Sequence, residues 1–210
     1  MLDLAAGTGL LTRILAERVD EVLAVEPDGR MREVLVETCA AAEVFEGTAE
    51  NIPLPASKVD AVLVSAAWHW MTPHLALPEI ARVLKPGGTF GLLWVHPDVR
   101  VPWVADLERF ARDAGGGWHT ARRTIDDIAE QGLLPDDSPF ADASSRVFSW
   151  SVPMTREELF GLYTTYSWFQ EYTAQRKREF REEIDALFPA GEDALPLPIS
   201  CPCWRTQLIG

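Results

Sequence analysis

Met1-Leu2-Asp3-Leu4-Ala5-Ala6-Gly7-Thr8-Gly9 is a short apolar run that breaks, beside an acid, into a turn of small residues. Gly7 and Gly9 let the backbone turn sharply and come close to a ligand. A helical pattern opens directly after them, so its first amides are available to an anionic group. This is the order strand, ligand-binding turn, helix that begins many nucleotide-binding α/β folds.

Outward from that stretch the same order repeats. Leu10, Leu11, Ile14, Leu15 and Val19 fall at helical spacing and predict the buried stripe of a first helix. Val22-Leu23-Ala24-Val25 is a continuous apolar run, as a strand buried on both faces requires, and it stops at Glu26-Pro27-Asp28-Gly29. Met31, Val34 and Leu35 predict a second helix face, and Ala42 to Phe45 a strand leading into Glu46-Gly47-Thr48-Ala49-Glu50. Val59 to Val64 reads as the next strand, with Ser65 to Met71 beyond its carboxyl end. Pro78 biases Leu77 away from helical angles, so the following helix is placed from about Pro78, a kinked helix from Pro73 being the alternative. Thr89 to Val95 is a strand entered through Pro86-Gly87-Gly88. Alternation of this kind over residues 1–95 predicts a parallel sheet covered by helices.

The rest is less regular. Val101 to Ala114 reads as helix, Gly115-Gly116-Gly117 as a flexible run, and Asp136 to Pro139 as a loop. Arg146 to Val152 alternates like a strand, and Thr155 to Glu158 forms a capping box before Leu159, Phe160, Leu162 and Tyr163. A helix is expected from about Tyr172 to Leu187. Pro196 to Leu208 is expected as a last strand at the sheet edge, because Pro196, Pro198 and Pro202 cannot donate to a ladder. Residues 1–210 are read as one domain, with 1–95 as a cofactor-binding core and 96–210 supplying covering helices and the last strands.

Composition narrows the function. The chain is 47% hydrophobic and 24% charged, ordinary for a soluble domain, and no apolar run approaches the roughly 20 residues that span a bilayer. Nineteen basic against 32 acidic residues give a net charge of −13, which would repel a phosphate backbone and argues against nucleic acid. Arg176-Lys177-Arg178 is answered by Glu179, Glu182, Glu183 and Asp185, the pattern of a solvated helix face. Cys39, Cys201 and Cys203 are too few for a disulfide scaffold, the first residues do not read as a basic n-region with a cleavable apolar core, and a reducing cytoplasm is expected. Cys201-Pro202-Cys203 lacks a second Cys/His pair at ligand spacing, so no metal is expected.

In an open parallel sheet, ligands sit outside the carboxyl ends of the strands. Glu26 follows Gly7 by nineteen residues, the distance at which an acid after the second strand accepts hydrogen bonds from ribose hydroxyls. A dinucleotide turn wants a third small residue where this chain has Thr12. Asp3 would also be a poor neighbour for pyrophosphate but a good one for an ammonium group. A cofactor carrying an amine, a carboxylate and a ribose fits better, which leaves a nicotinamide-dependent oxidoreductase as a weaker alternative.

These residues resemble the class I S-adenosylmethionine-dependent methyltransferases, in the methyltransferase type 11 group that includes trans-aconitate methyltransferase-like proteins. The resemblance rests on Leu2 to Thr12, Val25-Glu26-Pro27, Gly47 to Pro53, Ala67-Trp68-His69-Trp70 and Ile80 to Gly88. It continues more weakly through Ser167-Trp168, Leu197-Pro198 and Cys203-Trp204-Arg205. It implies a Rossmann-like, doubly wound, mostly parallel seven-stranded sheet with helices on both faces. It implies S-adenosylmethionine as cofactor, with Asp3, Ala5, Gly7 and Gly9 around the methionine portion and Glu26, beside Pro27, on the ribose. Thr48, Ala49 and Glu50 would border the adenine, Ala49 through its backbone, and Ser65 would lie near the methyl group. Ala5 stands where relatives often have Gly.

The expected reaction is methyl transfer to oxygen or nitrogen of a small-molecule acceptor, achieved largely by orientation and exclusion of water. Trp68 and Trp70 either flank the cation or substrate or pack against the neighbouring helix. His69, with an ordinary pKa of about 6.5, is the candidate base for a phenol or amine acceptor; a carboxylate acceptor needs none. His74, His96 and His119 carry no better case. Aromatics from Trp150 to Tyr172 either roof the pocket or form plain core. Only Met1 to Leu4 precede the turn, short of the usual five or six strand residues, so N-terminal helices are expected to be missing. A truncated or inactive cofactor-binding protein is therefore the other alternative.

Overall fold

A computed structural model of the chain describes residues 1–112, 134, 138–141 and 143–209, and of 112, 167 and 168 only the backbone. The Gly115–Gly117 run, His119 and the start of the Asp136 loop lie outside the described residues. In chain order the elements are β1 (Leu2–Leu4), α1 (Leu10–Ala16), β2 (Val22–Val25), α2 (Gly29–Thr38), β3 (Ala42–Phe45) and β4 (Val59–Ser65). A 3₁₀ turn (Trp68–Trp70), α3 (Pro73–Val83), β5 (Leu84–Leu93), β6 (His96–Pro97) and α4 (Pro102–Arg112) follow. Next come β7 (Ser144–Thr155), α5 (Arg156–Thr164), a 3₁₀ turn (Ser167–Glu171), α6 (Ala174–Leu187) and β8 (Ala194–Gln207).

Two compact units contain these elements. The first holds the described residues of Met1–Trp94, Thr124–Arg146 and Pro202–Gly210. In it β3, β2, β1, β4 and β5 run side by side and parallel, and β8 closes on β5 in antiparallel register from Thr89↔Gln207 to Leu93↔Cys203. The apolar runs read from sequence form this sheet because β1 and β2 are buried along their whole length. Leu2, Leu4, Leu23, Val25, Val62, Val64, Phe90 and Leu92 make its core with Ala76, Leu77 and Ile80 of α3.

Several local expectations are corrected. In α1 the buried residues are Thr12 and Leu15, while Leu10 and Ile14 of the expected stripe are 70% and 51% exposed. Likewise α2 buries Leu35 and leaves Met31 and Val34 exposed. Helix α3 begins at Pro73 and runs through Pro78. Pro73 sits in the first turn, where no amide is needed, and the cost of an interior proline is offset by burying Ala76, Leu77, Ile80 and Val83. The last strand is not at an edge, since β5, β6 and β7 all pair with β8. Its prolines serve through their carbonyls: Trp94 N–H donates to Pro202 O (3.1 Å) and Asp98 N–H to Pro198 O (2.8 Å). Eight strands rather than seven are formed among the described residues, because two-residue β6 pairs with β8 as a separate segment.

The second unit holds the described residues of Val95–Arg123 and Val147–Cys201. Helices α4, α5 and α6 pack around Leu107, Leu159, Tyr163, Phe169, Tyr172 and Phe180. Phe180 meets Tyr163 and Phe169 edge-on, with ring centroids 4.9 and 5.7 Å away. Tyr163 and Tyr172 keep their hydroxyls satisfied on Glu108 and the Ala111 carbonyl. Thus Tyr163, Phe169 and Tyr172 are core of this unit. The capping box is present with both of its bonds, Glu158 N–H to Thr155 Oγ1 and Thr155 N–H to Glu158 Oε2.

Candidate functional site

The strand ends of the first unit gather most of the sequence-predicted site residues. After β1 the chain enters the left-handed region at Ala5 (φ 59°), Gly7 (φ 58°) and Gly9 (φ 84°). A side chain at Gly9 would collide with Leu35 of α2. Above Gly7 the nearest atom is Met31 Sδ, 4.0 Å from where a Cβ would stand, so that face of the turn is open. Glu26, at the end of β2, is 5% exposed and ties the two turns together. Its Oε2 accepts from Gly7 N–H (2.8 Å) and its Oε1 from Asp28 N–H (2.9 Å). Each oxygen keeps a second lone pair. Pro27 is exposed beside it.

Asp3 lies within β1 and is 1% exposed. Thr12 Oγ1, fully buried on α1, donates to Asp3 Oδ2 at 2.6 Å, while the buried Oδ1 has no partner among the described residues. Burial pushes the Asp3 carboxyl up to about 6; hydrogen bonding from Thr12 opposes the rise and the charge of Glu26 adds to it. A buried carboxylate oxygen without a partner carries an unmet electrostatic demand, and a bound cation meets it.

The loop after β3 is held partly by its own residues and partly by a pair on α3 that the sequence did not single out. Thr48 and Asn51 pair through their backbones, and Ala49 is buried. Glu50 Oε1 accepts from Thr72 N–H (2.8 Å), at the start of α3. Burial works to raise the Glu50 carboxyl, but bonds from Thr72 and Thr48 outweigh it and hold it below the usual range. Glu79 accepts from Ile52 N–H (2.9 Å), and Arg82 donates to the Ile52 and Leu54 carbonyls and to Glu79. Glu79 and Arg82 are three residues apart on α3, an ordinary exposed-helix pairing in sequence, so nothing marked them as the clamp on this loop. Thr12 was read only as the residue a dinucleotide turn would not have, and Met31 only as part of a helix face, so their places beside Asp3 and Gly7 were not anticipated.

After β4, Ser65 is partly buried at the strand end and Ala66 takes a left-handed φ of 53°. Trp68 is core, 5% exposed with its ring 5.5 Å from Phe90, whereas Trp70 is 77% exposed. Of the two tryptophans only Trp70 presents a face to solvent. The His69 ring stands between Trp70 and Trp94, 4.8 Å from each. A recess of about 400 Å³ in the second unit, lined by apolar residues such as Trp103 and Phe110 together with Asp106, Arg109 and Glu183, contains none of the strand-end residues. Among the described residues no three His, Cys, Asp or Glu side chains group as a metal site, and no helix is long and apolar enough to cross a membrane.

An open parallel sheet with its polar groups gathered at the strand carboxyl ends defines a Rossmann-like nucleotide-cofactor protein. Residues 2–92 match the family model described as a methyltransferase domain. An uncharacterised methyltransferase of Mycobacterium tuberculosis is 36% identical over 214 residues, covering 99% of this chain and 83% of that protein. A putative type II methyltransferase from Anaeromyxobacter dehalogenans is similar in fold, with a TM-score of 0.69 at 22% identity over 99% of this chain and 89% of that one. So is a geranyl diphosphate C-methyltransferase from Streptomyces coelicolor, solved with Mg²⁺, geranyl diphosphate and S-adenosyl-L-homocysteine, with a TM-score of 0.51 at 14% identity over 99% and 70% of the two chains. The chain belongs to the class I S-adenosylmethionine-dependent methyltransferases, and S-adenosylmethionine is its cofactor.

The residues present fit that cofactor on three observations. Asp3 Oδ1 is buried and lacks a partner, as an ammonium site requires. The space above Gly7 is open. Glu26 offers two further lone pairs, matching a ribose diol.

Proposed function

We propose that this protein transfers a methyl group to oxygen or nitrogen of a small-molecule acceptor, with the cofactor lying across the ends of β1, β2 and β3. The observation that carries the reading is the pair of buried acids flanking the Gly7 turn, one with an unpartnered oxygen and one bonded to the turn itself. Asp3 takes the ammonium of the methionine portion, Ala5, Gly7 and Gly9 let the backbone approach it, and Glu26 beside Pro27 takes the ribose. Thr48, Ala49 and Glu50 border the adenine, in a loop fixed by Glu79 and Arg82. When bound, S-adenosylmethionine supplies an electrophilic methyl group on a sulfonium, near Ser65.

The chain's part is then to align an acceptor and keep water away. Trp70 is the ring available to a cation or substrate. His69 receives the proton from a phenol or amine acceptor, its ring held by Trp70 and Trp94. The net charge of −13 favours a small molecule over nucleic acid, and three cysteines in 210 residues suit a reducing, cytoplasmic setting. A dinucleotide reading is disfavoured by Thr12, whose hydroxyl is committed to Asp3.

The test pairs binding with turnover. Calorimetry with S-adenosylhomocysteine should show binding to the wild type and at least a 30-fold loss in Glu26→Ala. Methyl-labelled S-adenosylmethionine, offered with a panel of carboxylates, phenols and amines, should label at least one. Cofactor binding with no transfer to any acceptor would favour an inactive binding protein, and no binding at all would contradict the site.

A further inference from the structure

Thr12 is a polar side chain at a fully buried helix position, and the function above gives it no task. Its bond to Asp3, at 2.6 Å, has the length of a hydroxyl donating to an ionised carboxylate. With Oδ2 engaged in this way, the buried Oδ1 is the oxygen left over. Resting on the placement of the methionine portion proposed above, we propose that Thr12 is a positioning residue for the cofactor: by holding Oδ2 of Asp3 it presents Oδ1 to the cofactor ammonium and makes binding of that end depend on protons.

The surroundings of Asp3 give the dependence its sign. Glu26, just after β2, is the charged group that acts on it, and it is an acid. α1 contributes the Thr12 hydroxyl and the Thr12 amide, of which Thr12→Val removes only the first, and the paired positions on β2 and β4 are Ala24 and Leu63. No basic side chain is hydrogen-bonded or ion-paired to Asp3 among the described residues. Below about pH 6 the carboxyl therefore holds a proton that an arriving ammonium must displace, and above it the carboxylate is ready. The Thr12 hydrogen bond favours the ionised form and so moves that boundary down.

Two probes separate this effect from the nucleoside half of the site. S-adenosylhomocysteine carries the ammonium and carboxylate; 5′-methylthioadenosine has the same nucleoside and neither charge. For the wild type, calorimetry should show S-adenosylhomocysteine binding about tenfold tighter at pH 7 than at pH 5, following the ionised fraction of a group titrating near 6, and methylthioadenosine changing less than twofold. Thr12→Val should weaken S-adenosylhomocysteine about fivefold at pH 7 and move the rise to higher pH, with methylthioadenosine unchanged. Thr12→Ser should restore both, and Asp3→Asn should bind with no rise between pH 5 and 7. Carbon-13 NMR of the Asp3 carboxyl without ligand should show its midpoint higher in Thr12→Val than in wild type. Equal weakening of both probes by Thr12→Val would mean a structural role only and overturns the proposal, as does a flat wild-type pH profile. If methylthioadenosine fails to bind the folded wild type, the nucleoside placement itself fails and the proposal falls with it.

Discussion

The ends of β1 and β2 are neighbours in one sheet, and each presents a buried acid, yet the two are finished differently. Glu26 has an amide on each oxygen, one from the Gly7 turn and one from the turn at Asp28. Asp3 has a threonine on one oxygen and nothing on the other. The end of the site proposed for the ribose is thus assembled before any ligand arrives, and preorganised groups lose little on binding. At the end proposed for the methionine portion the fold carries a cost that protonation or a bound cation removes. On the proposed roles, function at the end of β1 is held against stability, whereas at the end of β2 the two agree.

Asp3→Asn should break the contrast with the largest effect. An acid raised from 3.8 to about 6 is protonated in both states below about pH 4, so its penalty on folding is absent there. The penalty grows as pH rises through 4 to 6 and is complete above 6, where it amounts to roughly 3 kcal/mol. Urea unfolding at pH 7 should therefore find Asp3→Asn more stable than wild type by up to about 3 kcal/mol, with the difference shrinking toward pH 4. A variant less stable than wild type at pH 7 would show that the carboxylate is well solvated or paired. Glu26→Ala should act in the opposite sense on folding. Two amides lose a charged acceptor, so a loss of about 2 kcal/mol in stability is expected alongside the lost cofactor affinity. Unchanged stability in the same urea experiment would mean that β2 is not preassembled.

The loop proposed to border the adenine offers a milder test of preassembly. Arg82→Ala removes the donor to the Ile52 and Leu54 carbonyls and should cost about 1–2 kcal/mol, raise amide exchange at residues 48–54, and weaken 5′-methylthioadenosine several-fold. Exchange rates that stay at wild-type values would remove the clamp from the account of the site. Ala5→Gly is the smallest change. It relieves a left-handed alanine, worth roughly 1–2 kcal/mol, while adding unfolded-chain entropy of about 0.4–1 kcal/mol. A net gain of about 0.5 kcal/mol in thermal unfolding is expected, and a loss would show that the alanine methyl packs usefully at the β1 end.

Much of this was legible in the residues because it depends on short-range pattern. A continuous apolar run of four, Val22–Val25, bounded by a Pro-containing turn reads as a strand buried on both faces, and the small residues after β1 and the acid after β2 placed the turn and the carboxylate that bonds to it. Helix faces were less legible. Leu10, Ile14, Met31 and Val34 have the period of a buried stripe but are exposed, while Thr12 is buried, because a hydrogen bond to Asp3 makes a polar residue acceptable inside. Prolines were read as more disruptive than they are: Pro78 lies within a helix held by its buried face, and β8 is flanked on both sides despite Pro196, Pro198 and Pro202. The clamp formed by Glu79 and Arg82 reaches residues nearly thirty positions away, a contact that no local pattern encodes.

A crystal structure of the S-adenosylhomocysteine complex would decide between the two strand ends by direct observation. The ribose hydroxyls should lie within hydrogen-bond distance of Glu26 Oε1 and Oε2, with the Gly7 and Asp28 amides still bonded to the same carboxylate, and the ammonium should stand on Asp3 Oδ1. A nucleoside bound away from Glu26, or an ammonium satisfied elsewhere with Asp3 Oδ1 still unpartnered, would contradict the division of labour between β1 and β2.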